Sequence, residues 1–282
     1  MLNFKIRTMK RSNVILAASL LVFATFFAAC EKSDETDPIV SITQDDDQAT
    51  DLYDDVQNEA DEITAISGSS KSSADFAMLS GTGTRTIETT FSGDTTIKTI
   101  TFVDFVNSNS QNGHVKRGVI IIKVLGGPLQ EKFERTITFQ NFYIDDIKIE
   151  GKKQVIKTAE HQYSVTLIAG RLTFPDGTTY TREFTRTRTW VDGYDTPANI
   201  WDDTYTIEGT ATGINRKGYT YTHTITNPLI VKNTCRWIVE GTIEMVINNQ
   251  IAILDYGMGD CDNIATITKN GKTYEFRLRG KR

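Results

Sequence analysis

Apolar and polar residues alternate along most of the chain from residue 77 onward, and threonine occupies many of the polar positions. Alternation with a period of two is typical of strands that bury one face. Gly, Asn and Asp separate these runs at intervals of about 8 to 12 residues, which indicates antiparallel strands joined by short turns. The pattern therefore predicts an all-β domain over 76–282, an antiparallel meander folded as a sandwich or as one elongated twisted sheet. The first seven predicted strands cover residues 86–91, 96–105, 119–124, 134–139, 142–149, 163–174 and 178–191.

A different period occurs before the strands. Leu52, Val56, Ala60, Ile63 and Ile66 are three or four residues apart, with acids between them. This spacing places the apolar side chains on one face of a helix. We predict one N-terminal amphipathic helix near residues 50–66, ended by the Gly-Ser-rich segment that follows it. Its apolar face is expected to dock on the chain's own β domain, and docking on a partner is the alternative.

The second half of the predicted sheet echoes the first. A Thr-Ile-Thr motif leads to an aliphatic-Glu-Gly triplet twice, and a hairpin-like segment also recurs, in the same order. We predict an internal duplication with repeat units of about 114–191 and 202–279, each of five or six strands. Coincidence among similar Thr-rich strands is the alternative. The shared Gly151 and Gly241 are expected to mark corners where the sheet bends. The echoed segments are 135–138 with 223–226, 149–151 with 239–241 and 172–180 with 266–274, and a third triplet occupies 207–209.

Charge is distributed unevenly along the chain. Residues 1–29 contain four basic residues and no acid, residues 30–75 contain fourteen acids and two lysines, and residues 76–282 carry a balance of +3. The segment 30–75 is predicted to be an acidic tether, solvated up to Gln48 and helical after it. Its Asp45-Asp46-Asp47 run lacks the alternating ligands and the glycine of a calcium loop, so a solvated charge run is expected. The β domain lacks the basic stripe that nucleic-acid binding requires.

The N-terminus has the pattern of a secretory signal peptide over 1–29. Its basic residues precede an apolar run over 14–29 that ends in Ala28-Ala29-Cys30. As a helix this run rises about 24 Å, short of the roughly 30 Å hydrocarbon core of a bilayer. The cysteine directly after two alanines resembles a lipoprotein signal, which implies a mature chain that begins at an acylated Cys30. An ordinary cleaved signal peptide and an uncleaved anchor are the alternatives.

Cys235 and Cys261 are predicted to form a disulfide, because an exported chain meets an oxidising environment. Asn248 and Asn249 separate two apolar runs, a strong hairpin signal. If the two runs pair as a hairpin around that turn, residue 235 lies opposite residue 262. One extra residue on the first strand, at Gly241, would shift the register by one and place Cys235 opposite Cys261. A metal site is the alternative, but two cysteines and three scattered histidines do not form a zinc pattern.

Recognisable catalytic motifs do not occur in the sequence. It has no nucleophile elbow, phosphate-binding Gly-rich loop or zinc-protease helix, and it lacks the alternating helices of cofactor-binding folds. We therefore predict no cofactor, no metal and no catalytic residue. A carboxylate pair remains an open alternative, since all-β glycosidases need only two acids at a suitable separation.

The segment between the two repeat units is the best candidate for ligand binding. Aromatic faces beside carboxylates stack on sugar rings and hydrogen-bond their hydroxyls, so a glycan is the leading ligand. The alternative is a connection whose rings cap the core while its aspartates form turns. The candidate residues are Trp190, Tyr194, Trp201, Asp202 and Asp203.

Two further groups of charged residues are weaker candidates for ligand binding. Arg182, Arg186 and Arg188 share one strand face with Phe184 and Trp190. Such a row binds an anionic glycan or, more commonly, is solvated and paired with acids across the sheet. The oxygen-rich segment 254–263 resembles extracellular calcium loops in composition, but its spacing favours a plain Gly/Asp turn.

Several motifs together resemble Bacteroidetes-type surface lipoproteins. The acidic run 30–35 is similar to their export signal, and the similar segments are Thr-Arg-Thr-Trp at 187–190, Cys-Arg-Trp-Ile-Val-Glu-Gly at 235–241 and Asp-Tyr-Gly-Met-Gly-Asp-Cys-Asp-Asn at 255–263. The resemblance covers most of residues 114–279. It implies export and an all-β fold, and it brings no activity with it.

These patterns together predict a lipid-anchored protein of the outer membrane that is exposed at the cell surface. The role expected is binding or structural and not enzymatic, with a glycan or surface ligand and no nucleic acid as partner; the sequence identifies no protein partner. The simplest form of this binding or structural role is a periplasmic scaffold. The alternatives are a surface hydrolase that uses a carboxylate pair and a carrier of an apolar ligand.

Overall fold

The computed structural model describes residues 31–32, 38–66, 81–107, 113–197 and 199–278. Its elements are one long helix, fourteen strands and a single 3₁₀ turn at Ile200–Asp202. The predicted signal peptide and Cys30 lie outside the described residues. The helix is α1 (Pro38–Ile66), and the strands are β1 (Glu31–Lys32), β2 (Gly81–Ser92), β3 (Thr95–Asn107), β4 (Lys116–Leu125), β5 (Glu134–Ile144), β6 (Ile147–Ala159), β7 (Gln162–Thr173), β8 (Thr179–Asp192), β9 (Thr204–Ile214), β10 (Thr220–Lys232), β11 (Ile238–Ile247), β12 (Gln250–Met258), β13 (Ile264–Lys269) and β14 (Lys272–Arg277).

The strands form one continuous antiparallel meander, which confirms the predicted all-β class. Each strand from β2 to β14 pairs with its neighbours in the chain, and the sheet does not close into a barrel. The two-residue β1 pairs in parallel with β14 at one edge. Of the two predicted arrangements, the chain adopts the single twisted sheet.

The predicted division of residues 134–149 into strands is wrong. Strands are predicted over 134–139 and 142–149, but β5 continues to Ile144, and Asp145 and Asp146 form a turn between β5 and β6. Both aspartates have positive φ angles, 47° and 66°. A two-residue hairpin needs this left-handed backbone, and Asp tolerates it better than most residues. The apolar residues on either side hid the turn, because they continue the alternation across it.

The strands contain bulges at which one residue of a strand faces two of the next. Glu150 and Lys152 pair with Arg171 and Ile168, so that Gly151 lies at such a shift, with φ of 123°. Gly241 lies at a second shift, between β11 and β12. Both predicted corners are confirmed. Bulges bend and twist a strand, and here they curve the sheet.

The curved sheet wraps around α1. Arg85 on β2 contacts Glu59 of the helix, and Gln44 of the helix donates to the carbonyl of Arg277 on β14, so both ends of the sheet reach it. Leu52, Val56, Ala60 and Ile63 are buried in the common core, which confirms docking on the chain's own domain.

The predicted solvated spacer is wrong over the residues that α1 contains. The helix begins at Pro38, about twelve residues earlier than expected, and proline is well suited to a first helical turn. Asp45, Asp46 and Asp47, expected in solvent, are buried. The sequence pattern missed this because the sheet supplies bases to the acids, so that polar as well as apolar positions of the helix are covered.

The predicted disulfide is confirmed, but the hairpin argument behind it is not. Cys235 and Cys261 are bonded, with their Cα atoms 5.7 Å apart. The bulge between β11 and β12 has its extra residue on β12, because Glu240 and Thr242 pair with Met258 and Asp255. The cysteines meet because both lie in connections beyond the strand ends.

The two predicted repeat units contain five and six strands, β4–β8 and β9–β14. The first two echoes match β5 with β10 and β6 with β11. The third echo matches the β7–β8 hairpin with β13–β14. The first two echoes are offset by five strands, whereas the third is offset by six. A duplication therefore needs one additional strand in the second unit, and it stays a prediction.

Candidate functional site

Buried acids of α1 form ion pairs with basic residues of the sheet, in the interior between the two. Asp46 lies 2.8 Å from Arg182 and 3.2 Å from His223, and the hydroxyl of Tyr180 also donates to it. Burial alone would raise the pKa of Asp46, but Arg182 and His223 hold that pKa far below its usual range. The carboxylate therefore stays ionised inside the protein.

A second group of ion pairs lies two to four turns farther along α1. Lys116 is 2.8 Å from both Asp55 and Glu59, and Arg85 is 2.5 Å from Glu59. Burial opposes the charge of Glu59, but Lys116 and Arg85 keep its pKa below the ordinary value. His114 bridges Asp51 on the helix and Asp145 in the β5–β6 turn. Here burial would lower the pKa of the imidazole, but the hydrogen bonds raise it to about 10.

The predicted arginine row faces α1 and not solvent. Arg182 pairs with Asp46, while Arg188 and Arg135 both pair with Asp61, at 2.9 and 2.5 Å. The solvated interpretation of the row is therefore wrong, and its acidic partners come from the helix and not from neighbouring strands. Sequence spacing identified the shared face but not what covers it.

Two of the five predicted ligand-binding residues are buried. The indole Nε1 of Trp190 donates to Asp203 at 3.0 Å, and the hydroxyl of Tyr205 donates to the other carboxylate oxygen at 2.6 Å. Trp190 also stacks on Tyr205. Burial raises the pKa of Asp203 to about 7. These residues form a rigid base beneath the loop and are not an exposed binding face.

The other three candidates lie on the outside of the same loop. We call Tyr194, Trp201 and Asp202 the outer loop patch. Trp201 is 41 % exposed, and Tyr194 is half-buried and stacks on His161, with ring centroids 4.2 Å apart. Asp202 is exposed and accepts a hydrogen bond from Thr196. An exposed pair of tryptophans, the arrangement that would most favour a sugar platform, is absent from this loop.

Hydrogen bonds fix the turn that carries the outer loop patch. Asn199 caps the 3₁₀ turn by accepting from the amide of Trp201, at 3.2 Å. The side-chain amide of Asn233, which follows β10, donates to the carbonyl of Ile200 at 2.6 Å. The backbone N–H of Asn233 donates to the carbonyl of Asp203. Hydrogen bonds with Asn199 and Asn233 therefore fix the backbone that carries the exposed ring of Trp201.

Asp61 and Asp203 are the acids best placed to test the hydrolase alternative. Both line a cavity of about 40 Å³ whose walls include Tyr163, Trp190 and Tyr205. The oxygens of Asp61 accept from Arg135 and Arg188, and those of Asp203 accept from Trp190 and Tyr205. Carboxylates with both oxygens occupied by protein donors suit a structural role better than attack on a substrate.

The oxygen-rich segment near the disulfide is only partly irregular, because residues 254–258 belong to β12 and 259–263 connect it to β13. The predicted Gly/Asp turn is therefore wrong over 254–258. Asp255 accepts from the amide of Gly257, and Asp262 accepts from that of Ile264. An open groove of about 280 Å³ lies beside them. Among the described residues, no group of three or more His, Cys, Asp or Glu side chains is arranged to hold a metal ion.

Comparison of the chain with protein-family models, curated proteins and solved structures found no match. In the part of the chain that the structure describes, no helix combines the length and hydrophobicity needed to cross a bilayer.

Sequence reasoning missed Lys153, and it identified Arg186 as part of the arginine row without predicting its burial beside α1. Lys153 on β6 is 2 % exposed, and Arg186 on β8 is 7 % exposed. In sequence both stand in alternating strands, where a charged residue ordinarily marks the solvent face. The one available signal was the excess of acids in 30–75 beside a slightly basic domain, which indicates that the two segments attract each other.

Proposed function

We propose that the protein is a lipid-anchored surface protein that binds a glycan through its outer loop patch. The anchoring part rests on the basic and apolar residues that precede Cys30. The binding part rests on Trp201, Tyr194 and Asp202, which combine aromatic faces with a carboxylate at the surface. Binding is the role, and no chemical step is assigned.

The observation that carries the binding proposal is the exposure of Trp201 on a turn that hydrogen bonds from Asn233 fix. A large aromatic side chain that is 41 % exposed keeps apolar area in contact with water, and a side chain on a fixed backbone loses less entropy when it stacks on a ligand. Helix α1 covers the concave face and leaves only small cavities there, so that a glycan has to use the outer face, the edges or the loops. This occupation also weighs against the apolar-carrier alternative, which needs the concave face empty.

The position of β1 supports a body that lies near the membrane. Glu31, the residue after Cys30, pairs with Tyr274 at the β14 edge of the sheet. Acyl chains on Cys30 would therefore emerge at that edge. Five residues separate Lys32 from the start of α1, so the long acidic tether expected from the sequence is not needed to connect anchor and body.

The anchor is tested by mass spectrometry of the mature N-terminal peptide and by membrane fractionation, with Cys30→Ser as the comparison. We expect a diacylated and N-acylated Cys30 in the membrane fraction, and release of Cys30→Ser. Protease treatment of intact cells should cleave a surface-exposed body and spare a periplasmic one. An unmodified first residue would contradict the anchor.

Glycan binding is tested with the mature chain carrying Cys30→Ser, which keeps α1. A glycan array compares it with Trp201→Ala and with Phe91→Ala, a matched loss of an exposed ring on β2. We expect binding by the parent and by Phe91→Ala, and a loss of about tenfold or more for Trp201→Ala, as for an aromatic anchor residue. Equal binding by all three proteins, or none, would contradict the proposal.

A further inference from the structure

A small cavity lies between α1 and the middle of the sheet, apart from the outer loop patch. Its volume is about 40 Å³, enough for a few atoms larger than hydrogen. Lys153, Phe184, Arg186 and Arg188 of the sheet face it together with one turn of the helix. The other residues around it are Asp54, Gln57, Asn58, Val165, Ile207, Val231 and Asn233.

Lys153 and Arg186 bring positive charge to this cavity without a close acidic partner. The ammonium of Lys153 donates to the carbonyl of Tyr53 at 3.0 Å, and among the described residues it has no carboxylate within ion-pair distance. The guanidinium of Arg186 lies over the ring of Phe184, 4.6 Å from its centroid. Its buried Nε has no hydrogen-bond partner in the described part of the chain.

The charges around the cavity do not cancel. Arg188 lies 2.9 Å from Asp61, which also pairs with Arg135. Lys153 and Arg186 then face a single acid of the cavity wall, Asp54, so that basic groups outnumber acids around the cavity. The pKa values of both groups are lowered, as expected for buried bases without a close acid. Burial lowers the pKa of Lys153 to about 7, and burial together with Arg182 lowers that of Arg186 to about 10.

A buried cation without a counter-ion costs stability, and an apolar side chain of similar size would avoid that cost. Several other bases that face α1 have carboxylate partners at 2.5 to 3.3 Å, as at Arg85, Lys116 and Arg216. Lys153 and Arg186 depart from this arrangement, and both lie over the ring of Phe184. The two therefore fit a site for a ligand better than a further pair of structural contacts.

We propose that this cavity binds the oxyanion head of a small anion, a carboxylate or a phosphate group. Lys153 would supply a point charge and Arg186 a planar donor, the two groups that proteins use for such heads. Gln57 contributes a buried Oε1 that has no partner in the described residues, and it can accept from a hydroxyl of the ligand. Asp54, Asn58, Ile207 and Asn233 are partly exposed, so that an ion enters between them.

The test uses the mature chain with Cys30→Ser and measures binding by isothermal titration and by thermal unfolding. The probes are sodium acetate and sodium phosphate, each against sodium chloride at equal ionic strength. We expect saturable binding of at least one oxyanion, and the stronger of the two identifies the head group. No heat and no saturable rise in melting temperature with either probe would overturn the proposal.

Variants locate the binding. Lys153→Met and Arg186→Met should each weaken binding about tenfold or more, as loss of a charge-assisted hydrogen bond does. Arg171→Met removes an exposed arginine from β7 and should leave binding unchanged. Lys153→Arg keeps the charge and should retain binding if Lys153→Met fails to fold. Equal affinity in all variants would mean that the anions act elsewhere, and would overturn the site.

Discussion

Asp46 shows how single residues hold the helix inside the sheet. Its carboxylate accepts from Arg182 and Tyr180, and Arg182 is 1 % exposed. Removal of one partner from such a pair leaves the other charge buried and uncompensated, which costs far more than the pair itself contributes. The same reasoning applies at Glu59 and Asp61, each of which contacts two bases.

Asp46→Asn is therefore expected to lower the free energy of unfolding by about 3–5 kcal/mol. The matched control is Asp45→Asn, one residue earlier on α1. Arg216, the partner of Asp45, is partly exposed and keeps a second contact with Asp176 at 2.6 Å. That control should lose less than Asp46→Asn, because Arg216 keeps Asp176 and solvent as partners. Urea unfolding measures both values, and equal losses would contradict the assignment.

His114→Gln tests the imidazole between Asp51 and Asp145. Because the folded-state pKa of His114 is raised to about 10, its protonated form contributes stability below the unfolded pKa of about 6.5. That contribution is lost as the pH rises from there to about 10. The stability difference between the parent and His114→Gln should therefore shrink over this range, as measured by urea unfolding at a series of pH values. A difference that does not change with pH would contradict the prediction.

At the scale of elements, bulges and turns shape the sheet, and their backbone angles restrict the residues. Gly209 on β9 has a φ of 133°, and a Cβ there would lie 2.4 Å from the carbonyl oxygen of Thr185. It belongs to the third aliphatic-Glu-Gly triplet, and β10 shifts register nearby. The triplets at Gly151 and Gly241 occupy similar corners.

Gly209→Ala should cost about 1–3 kcal/mol of the free energy of unfolding, because alanine is strained at this angle and contacts backbone. Gly127→Ala is the control, since its nearest neighbour would lie 3.7 Å away and its φ is not in the left-handed region. Chemical denaturation compares the two. An unchanged midpoint for Gly209→Ala would show that the strand can relax there.

Helix α1 is an integral part of the body. A chain without residues 38–66 should lose its native near-ultraviolet circular dichroism, because the sheet bases lose their counter-ions and the apolar core loses one wall. Addition of a synthetic 38–66 peptide should restore the signal. The control peptide has the same composition in scrambled order. A truncated chain that unfolds cooperatively without the peptide would contradict this role.

For the whole molecule, pH acts on many contacts between the helix and the sheet together. Asp46, Glu59 and Asp61 have pKa values held below the ordinary range by their basic partners, whereas burial raises the pKa of Glu62. A lowered carboxyl pKa contributes stability above the unfolded value of about 4, and that contribution is lost as the pH falls further.

The free energy of unfolding should therefore fall steeply as the pH drops below about 4, since the acids with a lowered pKa outnumber the two with a raised pKa, Glu62 and Asp203. Urea unfolding from about pH 5 to pH 2.5 checks this. Asp46→Asn should show a shallower decline, because one acid with a lowered pKa is missing. A flat profile over this range would contradict the ionic account of helix binding.

The candidate site was predicted in part. Sequence identified the loop with Trp201 and Asp202 because aromatic residues and acids cluster there, but it could not separate exposed from buried members. Trp190 and Asp203 are buried because they hydrogen-bond to each other across the turn. Lys153 carried no sequence signal, and Arg186 was identified only as a member of the arginine row, since the burial of both depends on a helix about 100 residues or more away.

The sequence by itself determined the all-β class, the antiparallel order and the disulfide partners, because alternation, turn residues and cysteine number are local properties of the chain. It also determined that one acidic helix precedes the strands. Only the tertiary structure decided that the sheet wraps around this helix and that its acids are buried. Burial of a charge depends on a partner from a distant strand, and no local pattern specifies where that partner will lie.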